Sequence, residues 1–274
     1  MPLTTSQPKG FTEIAGKSIL EWTLTAFNKH GPFNYVYVAG YLKHVIKAKY
    51  TDFQFVDNDD WSTTNILYSL SCARNFMKDG FYSSYTDTLF TQDAIGLLKQ
   101  SDHDITVVMD TDWRNRYRYR SQHPESDGEK MIVDKNKVIE ISRTIEPENA
   151  SGEFTGVLKM NSTGAKTFLQ FFDEVYSSLG LDGIFEEGKP FRLAYFIHLL
   201  NHMLKNGVNI HYVPVHGNYH EIDTLEDYEL AKSNWNVSNL GLYSYLADVP
   251  LGISTIAFTI FGELSFTSIS SKFL

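Results

Sequence analysis

Acidic side chains lying just beyond apolar, strand-like runs are the first candidates for chemistry in this chain. Asp87 follows Phe81-Tyr-Ser-Ser-Tyr85, Asp110 and Asp112 follow Ile105-Thr-Val-Val-Met109, and Asp223 lies a short way past His211-Tyr-Val-Pro-Val215. Open α/β sheets bind their ligands at the carboxyl ends of the strands. Two carboxylates from different strand ends can hold one Mg²⁺, which favours a few carboxylates, waters and substrate phosphates. Each aspartate has a plainer explanation as the cap of a following helix, and Asp223-Thr224, ahead of a helix over 225–233, could serve both purposes. Lys9 stands between Pro8 and Gly10 in a polar loop, where its ammonium can reach a phosphate or simply face water. In Trp113-Arg-Asn-Arg-Tyr-Arg-Tyr-Arg120 the arginines 114, 116, 118 and 120 alternate. On a strand all four would share one face, either binding an anion or lying solvated.

Other chemistries lack their residues. The nine histidines form no HExxH pair, and His216 and His220, four apart, flank Gly217, which argues against a helix-borne metal site. There is no G-x-S-x-G elbow and no Walker A motif. A net charge of −9 disfavours general nucleic-acid binding. The single cysteine, Cys72, allows no disulfide framework within one chain, so a cytoplasmic setting is expected. Residues 1–16 have no signal-peptide core and no run is long enough for a spanning helix.

The elements that must position these residues are read from periodicity. Ser18 and Glu21 have capping-box spacing at the head of a helix over 19–27. Strands are expected near 34–40, 53–56, 81–85, 105–109, 153–160 and 209–215, with a hairpin over 130–142. Helices are expected near 42–49, 65–77, 92–99, 165–178, 192–206 and 225–233. This alternation predicts an α/β fold, a Rossmann-like three-layer sandwich on a mixed, mostly parallel sheet. With 42% hydrophobic residues in 274, one large domain is expected over 1–235. Beyond it, 236–274 form a tail almost without charge, whose stretch 249–262 reads as a buried strand or a membrane-touching segment.

Taken in order, several segments resemble a nucleotidyltransferase of the branch that holds bacterial-type choline-phosphate and phosphonate cytidylyltransferases. Met1-Pro-Leu-Thr-Thr-Ser-Gln-Pro-Lys9 is similar to the Pro-Leu-Thr…Pro-Lys half of the family's nucleotide signature. Gly16-Lys-Ser-Ile-Leu, Gly40-Tyr-Leu-Lys and Thr64-Asn65-Ile-Leu-Tyr-Ser69-Leu match its next stations. Tyr85-Thr-Asp87-Thr-Leu-Phe resembles its first metal-aspartate motif and Asp110-Thr-Asp112-Trp113 its phosphonate-type members. Glu129-Lys130, Gly152-Glu153-Phe154-Thr155-Gly156 and Glu221-Ile222-Asp223-Thr224 complete the series.

The resemblance implies transfer of CMP from CTP to a small phosphonate or phosphorylated alcohol, such as 2-aminoethylphosphonate, with release of pyrophosphate. It implies Lys9, Asp87 and Asp223 as catalytic residues, Asp87 and Asp223 as ligands of Mg²⁺, and Lys9, Gly40, Asn65 and Ser69 at the nucleotide. Asp110, Glu129, Lys130, Glu153 and Glu221 are expected at the acceptor. Choline-handling relatives place an aromatic beside the residue corresponding to Glu129, whereas Lys130 would repel a quaternary ammonium, hence the preference for a phosphonate. A homodimer is the expected assembly, with neither nucleic acid nor a membrane span. The alternatives are a sugar-1-phosphate nucleotidyltransferase on the same fold, or an impaired binding protein derived from it. On this resemblance the family's Gly-x-Gly-x-Arg loop and the mid-sheet strand before it have no counterpart ahead of Met1, which leaves the activity of this chain in question. The β-prone stretch 253–261 is one segment that could fill that strand position.

Overall fold

The computed structural model describes residues 7–235 and the backbone of 254–259. After a turn at Lys9–Phe11 come a short hairpin, β1 (Glu13–Ile14) and β2 (Lys17–Ser18), and helix α1 (Ile19–Asn28). α1 starts where expected because Ser18 Oγ accepts from the Glu21 N–H and the Glu21 carboxylate accepts from the Ser18 N–H, satisfying two amides at the helix entry. Then follow β3 (Phe33–Ala39), α2 (Lys43–Lys49), β4 (Gln54–Asp57), α3 (Ile66–Cys72), β5 (Gly80–Tyr85), β6 (Thr88–Phe90), α4 (Gln92–Gln100) and β7 (Ile105–Asp110). α5 (Trp113–Tyr117), the hairpin β8 (Lys130–Asp134) and β9 (Lys137–Ser142), β10 (Gly152–Asn161), α6 (Ser162–Leu179) and α7 (Phe196–Lys205) lead to β11 (His211–Val215), β12 (Tyr219–Glu221) and α8 (Leu225–Asn234). The last described strand is β13 (Ser254–Thr259).

Nine strands form one mixed sheet in the order β4-β3-β13-β5-β10-β7-β11-β9-β8. β4, β3, β13 and β5 run parallel, as do β7 and β11, while β10 is antiparallel to both of its sheet neighbours. Alternation along the strands supplies two apolar faces. Phe81, Tyr85, Val107 and Met109 pack with residues of α3, α6 and α7; Tyr82 and Val108 pack with residues of α1, α2 and α4. These are the three expected layers.

Two details differ from a reading of the sequence as body plus tail. β13 comes from the segment set apart by composition, yet it pairs with β3 on one side and β5 on the other, in the middle of the sheet. The stretch 253–261 thus contributes a mid-sheet strand, the place that its sequence reads as able to fill. The arginine run is not a strand: residues 113–117 form α5. Arg116 lies on α5 and Arg120 in the turn that follows it, and both side chains are largely buried on carboxylates rather than solvated. No described helix is long and apolar enough to cross a membrane.

Candidate active site

Asp87 and Asp223 are far apart in sequence, and a short ribbon joins them. β12 pairs antiparallel with β6, placing Glu221 opposite Thr88, and the Ile222 N–H donates to the Asp87 carbonyl at 2.9 Å. The capping box of α8 fixes the next residue: the Asp227 carboxylate accepts from the N–H groups of Asp223 and Thr224 at 3.0 and 2.8 Å. Lys9 reaches both aspartates. Its Nζ lies 3.0 Å from Asp87 and donates also to Asp223. Gly10 permits this approach, since a Cβ there would stand 3.1 Å from the Thr86 carbonyl oxygen beside Asp87.

The electrostatics of the trio are those of a half-dry ion cluster. Burial opposes the Lys9 charge, but Asp87 and Asp223 outweigh it and hold the ammonium well above its ordinary value. Burial likewise opposes the Asp223 charge, and Lys9 draws its carboxyl below the usual range. Asp87 is 3% exposed and its Oδ1 has no hydrogen-bond partner, a costly state for a buried oxygen. Burial, then Asp223 and Asp87, push Glu221 well above the carboxylate range. His123, Glu221 and Asp223 bring ligand atoms within 4.8 Å of one another. Oxygen-rich donors with one unfilled buried lone pair fit a hard divalent cation. Of this set, His123 was not singled out by the sequence; its Nδ1 accepts from Arg120 at 2.5 Å.

Beyond Glu221 lies a buried belt of opposite charges. Arg116 donates to Asp110 at 2.5 Å and also to Glu153, whose other oxygen accepts from the Tyr117 hydroxyl at 2.6 Å. Asp110 is completely buried and also accepts from the Asp112 and Gly217 N–H groups. It is thus occupied in holding the ends of β7 and β11 together. Glu129 accepts from the Tyr85 hydroxyl at 3.3 Å, and burial raises its carboxyl to about 7. Lys130, expected to face the acceptor, is fully buried and donates to the carbonyls of Glu125, Ser126 and Gly128 at 3.1–3.2 Å. Its three N–H bonds close a loop, so it does not stand as a free charge against a quaternary ammonium.

The expected nucleotide residues lie at the ends of β3 and α3. Gly40 follows β3, and the Trp61 side chain fills the space a Cβ would need, 2.6 Å away. Asn65 caps α3. Ser69 is buried, accepting from Asn58 Nδ2 at 2.9 Å and donating to the Asn65 carbonyl at 3.3 Å. It braces the segment around Asn65.

The belt carries a stability prediction. Arg116→Met leaves Asp110 and Glu153 as buried, unpaired carboxylates, and removing one partner of such a pair costs about 3–5 kcal/mol. Urea denaturation should show a loss of that size. A midpoint within error of the unaltered protein would contradict the pairing.

No family model matches the chain. The CTP:phosphoglutamine cytidylyltransferase of Campylobacter jejuni is 28% identical over 243 residues, spanning 84% of this chain and 93% of that protein. Among solved structures, the inositol-1-phosphate CTP transferase from T. maritima superposes with a TM-score of 0.62 at 20% identity, over 84% of this chain and 88% of its own. The CTP:phosphocholine cytidylyltransferase from Streptococcus pneumoniae gives 0.61 at 20%, over 86% and 92%. The architecture is the nucleotidyltransferase fold.

Proposed function

We propose that this chain, which groups with the cytidylyltransferases of the nucleotidyltransferase fold, transfers CMP from CTP to an oxygen of a small phosphonate or phosphate monoester. The acceptor oxygen forms a bond to the α-phosphorus, the bond from that phosphorus to the bridging oxygen of the β-phosphate breaks, and pyrophosphate leaves. The observation that carries the reading is the convergence of Lys9, Asp87 and Asp223 across the β6–β12 ribbon.

Such a reaction brings one anion onto another, so charge neutralisation and in-line positioning supply most of the acceleration. Lys9 contributes an ammonium that burial does not discharge. Asp87 and Asp223, both at Lys9, would hold Mg²⁺, with His123 and Glu221 close to Asp223; the ion when bound offsets the phosphate charge. Arg116 and Tyr117 keep Glu153 in place, and Asp227 keeps Asp223 in place. No side chain is required as a covalent nucleophile.

The test is pyrophosphate release with CTP, ATP, GTP, UTP or dTTP, each with 2-aminoethylphosphonate, phosphocholine, phosphoglutamine or glucose 1-phosphate. We expect release that needs both CTP and a phosphonate or phosphate acceptor, and that EDTA abolishes. A preference for UTP or dTTP with glucose 1-phosphate would replace this reading by the sugar-1-phosphate one. Failure of every pair would leave a binding protein.

A further inference from the structure

Arg143 sits at the far end of the same site with its donors unspent. It follows β9 directly, and its guanidinium carbon lies 4.2 Å from the centroid of the Tyr195 ring. The nearest carboxylate oxygen, on Glu129, is 3.9 Å away, beyond hydrogen-bond reach. Its Nε is buried and has no partner. Arg116 and Arg120 each have one buried N–H unmet as well, but both also donate to a carboxylate, at 2.5 and 2.6 Å, which Arg143 does not. A planar guanidinium held against an aromatic ring, with no carboxylate in hydrogen-bond reach, is disposed to take an oxyanion. Lys189 Nζ, 5.1 Å from the same ring, adds positive charge.

Beside Arg143 stands a carboxyl group that also lacks a strong partner: Glu129 has only the long bond from Tyr85. A purely anionic ligand would meet Glu129; a purely cationic one would meet Arg143. A molecule carrying an ammonium and a carboxylate on one carbon satisfies each side. Tyr85 lies between this end and the reacting end: its hydroxyl donates to Glu129, and it stands two residues before Asp87.

We infer that the acceptor has an amino-acid head, its carboxylate held by Arg143 over Tyr195 and its ammonium by Glu129, with its phosphate or phosphonate directed toward Lys9. This rests on the CMP-transfer reading and narrows its acceptor. The test compares acceptors that differ by the carboxylate alone: phosphoserine against phosphoethanolamine, and 2-amino-3-phosphonopropionate against 2-aminoethylphosphonate. One charge-assisted bidentate contact is worth roughly 10–100-fold, so kcat/KM should favour the carboxylate-bearing member of each pair by about that factor. In Arg143→Gln the ratio should fall to near one, with partial recovery in Arg143→Lys; circular dichroism and the melting temperature establish that both variants fold. Titration calorimetry of phosphoserine gives the same comparison without turnover. Equal turnover within each pair by the unaltered protein would overturn the amino-acid head and leave CMP transfer standing. So would a rise in the KM for CTP, rather than for the acceptor, in Arg143→Gln, which would assign the guanidinium to the triphosphate. Absence of pyrophosphate release with every acceptor would overturn the transfer reading itself.

Discussion

Lys9→Ala is expected to lower acceptor-dependent pyrophosphate release by about 10²–10³-fold, the usual loss when one preorganised charge facing a developing anion is removed. The expectation follows from the position of Lys9, 13% exposed and shared by two carboxylates from opposite sides of a ribbon. Stability should fall as well. Taking away one partner of a buried ion pair costs about 3–5 kcal/mol, and the lower end applies because the Asp223 side chain is one-third exposed. The variant also distinguishes cation binding from simple pairing. With the ammonium gone, Asp87 and Asp223 face each other uncompensated, so Mg²⁺ should raise the melting temperature of Lys9→Ala more than that of the unaltered protein. A variant with unaltered rate would remove Lys9 from the chemistry. A melting temperature indifferent to Mg²⁺ would remove the aspartates from metal binding.

The second large effect concerns β13. A chain ending at residue 253 is expected to lose cooperative folding, because the missing strand is central. β13 pairs residue for residue with β3 from Phe33 to Val38 and with β5 from Phe81 to Tyr85. Strands lie about 4.8 Å apart, so without β13 the edges of β3 and β5 face each other across roughly two spacings. Their backbone groups are then unpaired in a buried region, a cost borne at each amide and carbonyl. Ala257→Pro tests the same point more gently, since proline removes a ladder donor in a central strand. Thermal melts and amide-proton dispersion are the readouts. A truncated chain melting like the full chain would show that the sheet closes without this strand.

What could be read from residue order was whatever is settled within a few residues. The Ser18–Glu21 capping box, the helix at 92–100 and the apolar strand at 105–110 form from contacts with close neighbours, and they sit within a residue or so of expectation. The two short ribbon strands β6 and β12 escaped notice, because three residues are too few to show an alternation. The arginine run misled for a related reason: alternation of Arg with Tyr has a strand's period, yet a short helix and the turn after it carry Arg116 to buried carboxylates on Asp110 and Glu153, and Arg120 to that on Asp227. Arg143 left no signal at all. A lone arginine after a strand is ordinary until Tyr195 and Glu129 arrive beside it from distant parts of the chain.

The sequence by itself determined the alternation of strand and helix, the placing of aspartates beyond apolar strands, and a β-forming stretch near the end of the chain. Periodicity, capping and strand propensity are local, and each can be satisfied by neighbours along the backbone. The tertiary structure decided which of those aspartates meet Lys9, that Asp110 is taken up by Arg116 and the Gly217 N–H, and that the late strand belongs at the centre of the sheet. Those outcomes depend on the pairing of β6 with β12, of β7 with β11, and on β13 lying between β3 and β5. Such contacts join residues a hundred or more positions apart, and the burial that gives each charge its value exists only once they have formed.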